Sequence, residues 1–505
     1  MEKAGGNSMV TGNLAHRLQP EEIERIDPLA PDPLKYTSVA LSEVYSNNTR
    51  LEASAFNLEA KAAKYKVEHC RYGYVHLWGE DGLVSEASYP GRFKRIYVEK
   101  EDGIPFFLPS QLGEIQPKPS KFISEKTYKS IKGIEIKPNS LLISRSGTIG
   151  KCAISSRTTI GKVYSDDVIR VFFRSDCDLG YVYAYFCTPI GQQMLQTNNY
   201  GAVVQHIEPE HLKNIIIPNA PDPIKRKIHN LVVESYDLRD KSNELIDEAE
   251  QILYEELQLP PIEQLKPTYF DKDVDLRNYT TKLSELNLRL DCSYHAPEIL
   301  KAKDIIKKNC KDLLPLKDKI LSDKIFTGNR FTRVFVDNNN GIPYLNGKQI
   351  LELDPNSLDK KFLSFEQHED RIKNQLEIKE NTIIVTCSGT IGKTVLVPKH
   401  WVGWVGTHDL IRIESNNLKT IGYIYCWLNS NYGQLILKSL TYGSVVDHIE
   451  AFHIANMEIP LLKNESKQKE INDKVLQANE LRYQAYQKEQ EAVSTTEKIL
   501  ESSIN

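Results

Sequence analysis

The chain has no apolar run approaching the ~18 residues that a membrane-spanning helix needs. No Cys-x-x-Cys pair occurs among its eight cysteines, at positions 70, 152, 177, 187, 292, 310, 387 and 426. That removes the common spacing of a zinc site, and it predicts reduced thiols in a cytoplasm better than a disulfide framework. The first residues lack a basic segment followed by an apolar stretch, so no secretory signal is visible and the expected location is cytoplasmic. Nor is there a large charge of either sign: 64 Lys and Arg stand against 68 Asp and Glu, for a net charge of −4. Such a balance neither supports nor excludes nucleic acid, because binding depends on a local basic patch. With 40% hydrophobic and 26% charged residues, the composition is that of a soluble globular protein.

What the chain does have is a repeat. Residues 144–151 read Ser-Arg-Ser-Gly-Thr-Ile-Gly-Lys, and residues 386–393 read Thr-Cys-Ser-Gly-Thr-Ile-Gly-Lys, 242 positions later in a chain of 505. Gly103-Ile104-Pro105 returns as Gly341-Ile342-Pro343, and Asp167 with Ile169-Arg170 returns as Asp409 with Ile411-Arg412. Gly180-Tyr181 returns as Gly422-Tyr423, and Tyr200-Gly201 as Tyr442-Gly443. His206-Ile207-Glu208 with His211 returns as His448-Ile449-Glu450 with His453. The spacing drifts by only a few residues, so this is a tandem duplication of a unit of about 240 residues. That period is far too long for a solenoid, and each unit is large enough to bury its own core.

One copy reads as mixed α and β structure. Residues 139–144 and 152–155 are short apolar runs around a glycine-containing turn, repeated at Thr382–Val385 and Thr394–Val397, which predicts two strands and a tight connection. Residues 168–173 predict a further strand, while 181–195 and 423–437 have helical character. Ile217-Pro218 and Ile459-Pro460 mark the exits. Beyond each exit lies a charged stretch of helical pattern. In 224–257 the seam is Ile224, Ile228, Leu231, Leu238, Leu245, Ala249 and Ile252, with Ser235 and Ser242 in the gaps. In 467–500 it is Ile471, Val475, Ala478, Ala485, Ala492 and Ile499, interrupted by Arg482, Glu489 and Thr496. Helices of that length are about 50 Å long, and so narrow a stripe suits a helix–helix seam. The expected organisation is an irregular leader (1–35), a first module (36–222), a central helix (223–260), a linker (261–274), a second module (275–463) and a closing helix (464–505).

Enzyme motifs fail on their spacing. A phosphate-binding loop needs glycine five positions before the glycine of its Gly-Lys pair, but position 387 is cysteine, and Cys152 follows the lysine of the first copy. His206 and His211 lie five apart, about 140° around a helix, so they diverge as metal ligands. Their open readings are packing or capping on one side and contact with DNA or a partner on the other, and the same holds for His448. Glu135-Ile136-Lys137 and Glu377-Ile378-Lys379 echo the Glu-x-Lys of metal-dependent nucleases. The further carboxylate such a site needs is Asp102 before one copy but Asn340 before the other. No Asn-Pro-Pro-Tyr-type methyltransferase segment is present. The expectation is therefore no catalytic residue, no metal and no cofactor bound by this chain.

Two α/β modules, each followed by a long helix, resemble the specificity subunit of Type I restriction–modification systems. The resemblance covers about residues 36–505 and is carried by Lys-Pro-Asn-Ser-Leu-Leu-Ile-Ser-Arg-Ser-Gly-Thr-Ile-Gly-Lys at 137–151 and its copy at 379–393. The Gly-Ile-Pro segments and the helix start at Gln468-Lys469-Glu470-Ile471 also fit. The chain departs from the family where Asn139-Ser140 and Asn381-Thr382 replace the usual Gly-Asp, where Lys225 stands in place of the helix-start glutamine, and in its long leader. The resemblance implies a mixed α/β fold with two tandem target-recognition domains. Their two helices would pair as an antiparallel coiled-coil spacer with pseudo-twofold symmetry. It also implies double-stranded DNA as ligand, a bipartite site read through the major groove, two adenine methyltransferase subunits and motor-nuclease subunits as partners, and no chemistry in this subunit.

Candidate DNA contacts follow from residue type and repetition. Arg92, Lys94 and Arg95 in Gly91–Tyr97 correspond to Arg330, Thr332 and Arg333, set among aromatic residues. Arginine grips phosphate or reads guanine, and a solvated strand edge is the competing reading. Thr148, Lys151, Thr390 and Lys393 in the twin turn are read either as hairpin framework or as contacts to phosphate and base edges. The rival functions are a two-module protein-interaction scaffold and a Glu-x-Lys nuclease.

Overall fold

A computed structural model describes residues 39–46, 58–131, 133–147, 149–197, 206–265, 280–286, 289–355, 360–443 and 447–501; Thr148 lies outside them. The chain divides into two units, Met1–Leu58 and Glu59–Asn505. In the first, a short helix spans Leu41–Ser46. The duplication lies in the second.

Each copy builds a four-stranded antiparallel sheet in the same strand order. In copy 1 the order is Val84–Ser88, Val168–Phe173, Leu141–Ser144, Cys152–Ile154; in copy 2 it is Lys324–Thr327, Leu410–Glu414, Thr382–Thr386, Thr394–Leu396. The central strand Leu141–Ser144 is buried throughout because both sheet faces are covered. Successive side chains point to opposite faces, so Leu141 and Ile143 enter the core against the helices. Leu142 enters a separate core with Phe107 and Tyr164 of a smaller sheet. Ile383 and Val385 divide from Ile384 in the same way. That smaller sheet holds Lys121–Ser124, Gly103–Phe107 and Val163–Tyr164 in copy 1, and Phe335–Val336, Lys361–Ser364, Gly341–Leu345 and Val405–Gly406 in copy 2. Its Gly-Ile-Pro strand begins with glycine for a steric reason. A Cβ on Gly103 would lie 2.7 Å from Phe122 Cβ and Val98 Cγ2, and one on Gly341 would lie 2.7 Å from Val336 Cγ2.

The two sheets of a copy are tied by a buried arginine. The Arg170 guanidinium donates to the carbonyls of Ile134 (2.9 Å), Tyr164 (3.0 Å) and Ser165 (3.2 Å). Arg412 donates to those of Leu410 (3.0 Å), Leu376 (3.2 Å) and Gly406 (2.8 Å). Burial pulls the pKa of both guanidinium groups down to about 10. Asn139 and Asn381 both have φ of 55°. The turn that glycine serves in the resembled family is thus made by the residue that best tolerates the left-handed region after glycine.

The long helices span Asp222–Glu256 and Glu465–Glu501. They run antiparallel, because Lys227 meets Glu491 (3.8 Å), Glu234 meets Lys488 (3.1 Å) and Glu248 meets Lys474 (2.6 Å). In the closing helix Ile471, Val475, Ala478, Arg482, Ala485, Glu489, Ala492, Thr496 and Ile499 are all buried. The three polar residues that looked like interruptions are therefore part of the seam. Arg482 Nε donates to Ser242 Oγ (3.3 Å), the Glu489 carboxylate accepts from Arg239 (2.8 Å) and from Tyr183 Oη, and Thr496 Oγ1 donates to Ala492 O (2.9 Å). On the central helix Leu238, Leu245 and Ile252 are only half-buried, while Val232, Ile246 and Leu253 are buried. The stripe is wider than a pairing seam because this helix also covers copy 1. Tyr236 Oη accepts from Ile154 N (3.2 Å), and Asp240 accepts from the backbone N–H groups of Arg157 (2.9 Å) and Thr158 (3.2 Å). Among the described residues no helix is long and apolar enough to cross a membrane.

Each copy docks on its own long helix through the repeated Gly-Tyr pair. A Cβ on Gly180 would lie 2.7 Å from His229 Cα, and one on Gly422 would lie 2.5 Å from Asn472 O. The neighbouring tyrosines close the exit, Tyr181 Oη donating to Pro218 O (2.7 Å) and Tyr423 Oη to Pro460 O (2.5 Å). Lys225 pairs with buried Asp178 (3.1 Å), whereas Gln468 accepts from Leu462 N (2.9 Å), so the two helix starts differ in partner. Glu489→Ala strands the Arg239 guanidinium and is expected to lower stability by about 3 kcal/mol in urea unfolding. Replacing Arg239 and Glu489 together by Met should cost clearly less, and a double variant no better than the single one would show that the pair is not what the seam depends on.

Candidate nucleic-acid interface

The smaller sheet of each copy carries two cation–aromatic pairs at equivalent positions. Arg95 lies over Phe93 (5.8 Å) and Phe106 (5.7 Å), and Arg333 lies over Phe331 (5.9 Å) and Tyr344 (5.8 Å). Lys121 lies over Tyr97 (4.8 Å) and Lys361 over Phe335 (5.2 Å). The strand register places these lysines alike, since Phe106 pairs with Lys121 as Tyr344 pairs with Lys361. Lys121 and Lys361 were not singled out from the sequence. Their signal was the Lys-Phe-x-Ser that precedes each copy's next helix, visible only once the Gly-Ile-Pro strands are aligned. Rings beneath a cation hold it in place while leaving its polar edge outward. Arg92, Lys94 and Arg330 extend from the same loops into solvent.

The copies differ in what faces the central arginine. In copy 1 the Arg95 guanidinium donates to the Asp166 carboxylate, to Asp167 (3.3 Å) and to Ser165 Oγ (3.3 Å). Asp167 also meets Arg145 (3.4 Å), which is buried, pairs with Glu208 and lies over the Tyr89 ring at 4.2 Å. Arg95 is thereby neutralised within the protein. In copy 2 His408 stands where Asp166 does and Cys387 where Arg145 does. Arg333 donates to His408 Nδ1 (3.1 Å), and His408 Nε2 lies 3.3 Å from the Asp409 carboxylate. A neutral ring protonated at Nε2 satisfies both contacts. Burial lowers the His408 pKa, and the nearby Arg333 and Arg330 charges lower it further against the pull of Asp409. Arg333 therefore has a neutral partner and keeps its charge exposed.

A cleft of about 590 Å³ beside Arg333 joins this surface to the twin-motif turn, with Lys348, Lys361, Asn346, Ser388 and Thr390 on its walls. Cations beside amide and hydroxyl groups suit phosphate oxygens and base edges. Thr390 is exposed there. The turn itself is framework. Gly147 and Gly150 have φ of 76° and 85°, and Gly389 and Gly392 have 71° and 90°. Lys151 N donates to Ser144 Oγ (2.9 Å) and Lys393 N to Thr386 Oγ1 (3.0 Å), and each turn runs on into a strand.

The motif lysines each meet a carboxylate of the opposite copy, and only Lys393 also lines the cleft beside Arg333. Lys151 pairs with Glu352 with 12% of its side chain exposed, and Lys393 lies 3.7 Å from Glu114 with 22% exposed. His206 and His448 are half-buried and bridge through their backbone to Ser146 and Ser388. His211 and His453 cap their turns, accepting at Nδ1 from Glu208 N (3.1 Å) and Glu450 N (3.2 Å). Glu135 and Glu377 bridge to Val163 and Val405, and the Glu135 carboxylate accepts from Tyr128 Oη. Among the described residues no group of three or more His, Cys, Asp or Glu is placed to hold a metal ion.

A duplicated α/β fold on an antiparallel helix pair is the class this architecture defines. Residues 298–482 match the Type I restriction modification DNA specificity domain family. That match agrees with the resemblance read from the twin motif. No curated relative matches the chain. Among solved structures it is similar to the S subunit of a Type I restriction–modification system from M. genitalium, at 12% identity over 86% of this chain and 97% of that one, with a TM-score of 0.33. It is also similar to the HsdS subunit from Thermoanaerobacter tengcongensis, at 11% identity over 85% and 97% of the two chains, with a TM-score of 0.24.

The unequal surroundings of the two arginines have a measurable consequence. Arg95→Ala leaves the buried Asp166 carboxylate short of its cation and is expected to cost about 2–3 kcal/mol in urea unfolding. Arg333→Ala, at an exposed site, is expected to cost less than about 0.5 kcal/mol. Equal losses would contradict the assignment of Arg95 as internally neutralised.

Proposed function

We propose that the chain is the DNA-specificity subunit of a Type I restriction–modification complex. Each module reads one half of a bipartite site, and the antiparallel helices separate the readers. The observation that carries this reading is that the DNA specificity match at 298–482 falls on one of two structurally equivalent copies. A reader present twice calls for a target with two parts. Two readers face the same side of B-DNA when their separation is near one helical turn or a multiple of it, about 34–36 Å. A helix of about 50 Å is long enough to hold them there.

The chain does no chemistry in this reading. It brings two adenine methyltransferase subunits, which flip their target base, and motor-nuclease subunits to the site in the cytoplasm, and it binds no cofactor itself. Arg92, Lys94, Arg330, Arg333, Lys121, Lys361 and Thr390 form the DNA-facing set. Those shared between copies suit backbone grip. Differences such as Lys94 against Thr332, and Asp166 against His408, suit the choice of sequence.

Methylome sequencing of cells that express this chain with its methyltransferase partner should give a two-part motif with an unread spacer. Exchanging residues 275–463 for another module of the family should change one half only. A continuous motif, no motif, or a change in both halves would count against two independent readers. Binding of duplex DNA should weaken steeply with salt through counterion release, and Arg333→Ala should flatten the log–log salt slope by about 0.9, the share of one phosphate contact. A salt-independent affinity would favour a protein-binding scaffold instead.

A further inference from the structure

Glu114 and Glu352 are equivalent residues of the two copies. Three residues before each, a glutamine closes the same turn: Gln111 Oε1 accepts from Leu108 N (3.0 Å) and Gln349 Oε1 from Asn346 N (3.3 Å). The two glutamates meet each other in an antiparallel bridge, and Ile115 N donates to Leu351 O at 2.9 Å. Two carboxylates brought together with 9% and 6% of their side chains exposed repel, and each loses its hydration. Burial accordingly raises the Glu114 pKa, with Lys393 pulling against it. Each carboxylate is answered by the motif lysine of the opposite copy: Lys151 of copy 1 pairs with Glu352, and Lys393 of copy 2 lies 3.7 Å from Glu114.

The crossed pairs are fastened to the long helices on both sides. Ile115 O accepts from Asn243 Nδ2 (2.8 Å), and Gln116 Nε2 donates to Asp247 (2.7 Å) on the central helix. Asp354, at the position equivalent to Gln116, accepts from Gln490 Nε2 (3.1 Å) on the closing helix. The segment reaches the Gly-Ile-Pro strand of each copy within about ten residues, so it connects directly to the sheet that carries the cation–aromatic pairs.

We propose that Lys151 and Lys393 act as a reciprocal clasp with Glu352 and Glu114 that fixes the separation and rotation of the two reading modules, and so the spacer length accepted between half-sites. They are positioning residues, not DNA contacts. The role in spacing rests on the specificity-subunit reading, whereas the clasp itself does not. It accounts for the retention of lysine in both copies of a motif whose surroundings otherwise face different targets.

The test uses the full chain, alone for exchange and with its methyltransferase partner for binding. Lys151→Glu, Glu352→Lys, the paired exchange of both, and the uncharged Lys151→Met are compared. Amide hydrogen exchange at Ile115 reads the bridge without DNA. Duplexes carrying the two half-sites at the native spacing and one base pair longer read the spacer. Each charge-reversed single variant is expected to speed Ile115 exchange and to reduce the preference for the native spacer by about tenfold each, with the paired exchange restoring both, as coupled neighbours should. The salt slope of binding stays unchanged in all variants. The clasp is overturned if Ile115 protection is the same in every variant, or if the paired exchange fails to recover it. It is equally overturned if the single variants weaken all spacings alike with a salt slope shallower by about 0.9, the signature of a lost phosphate contact. Should the unaltered chain bind no bipartite duplex, the specificity reading fails while Ile115 exchange still decides whether the clasp exists.

Discussion

Ser235 donates its hydroxyl to the carbonyl of Ala485 across the helix pair at 2.8 Å. A side chain as short as serine reaches a facing backbone only where the two helices lie very close, and Ala478, Ala485, Ala492, Ser242 and Ala249 keep that space open along the seam. Close contact leaves little tolerance for sliding. Moving one helix past the other by a turn would carry Arg482 away from Ser242 and Glu489 away from Arg239, and leave charges buried without partners. Both modules inherit this register, because each presses a glycine-bearing helix onto its own long helix. The position of one module relative to the other follows from contacts between residues more than two hundred positions apart.

Duplication separates what must stay constant from what can vary. The constant parts are steric or buried: the Gly-Ile-Pro strand, the positive-φ turn glycines, the Arg170 and Arg412 ties between sheets, and the tyrosines that close each exit. Variation concentrates where polar groups meet solvent beside Arg95 and Arg333. Copy 1 surrounds its arginine with two aspartates and backs them with Arg145, while copy 2 offers a neutral histidine and a cysteine. The same backbone thus presents a compensated cation in one module and an exposed one in the other. Function placed on a shared fold through a few side chains is the general pattern, and here both versions occur in one chain.

Much of the fold was legible because local chemistry repeats. Apolar runs around Gly147 and Gly150, and around Gly389 and Gly392, announced the paired strands, and the seam at Ile471, Val475 and Ala478 announced a pairing helix. Arg482, Glu489 and Thr496 read as breaks because periodicity scores polarity, while burial depends on whether a partner waits on the facing helix. Leu238, Leu245 and Ile252 misled in the opposite direction, since the central helix serves a module as well as its partner helix. Of the candidate surface, Arg92, Lys94, Arg330 and Thr390 are exposed. Lys151 and Lys393 are not, for no repeat within one copy reveals that its lysine answers a carboxylate of the other.

By itself the sequence determined that the protein is built twice, that strands flank the twin turn, and that two long helices close the units. Those properties depend on neighbours a few positions apart, through backbone angles, side-chain alternation and helical period. Only the tertiary structure decided which charges are consumed inside the protein and which remain on its surface. Whether a lysine or arginine is available to a ligand depends on the carboxylates that folding brings within a few ångströms. For Lys151, Lys393 and Arg95 those carboxylates lie some seventy to almost three hundred residues away along the chain.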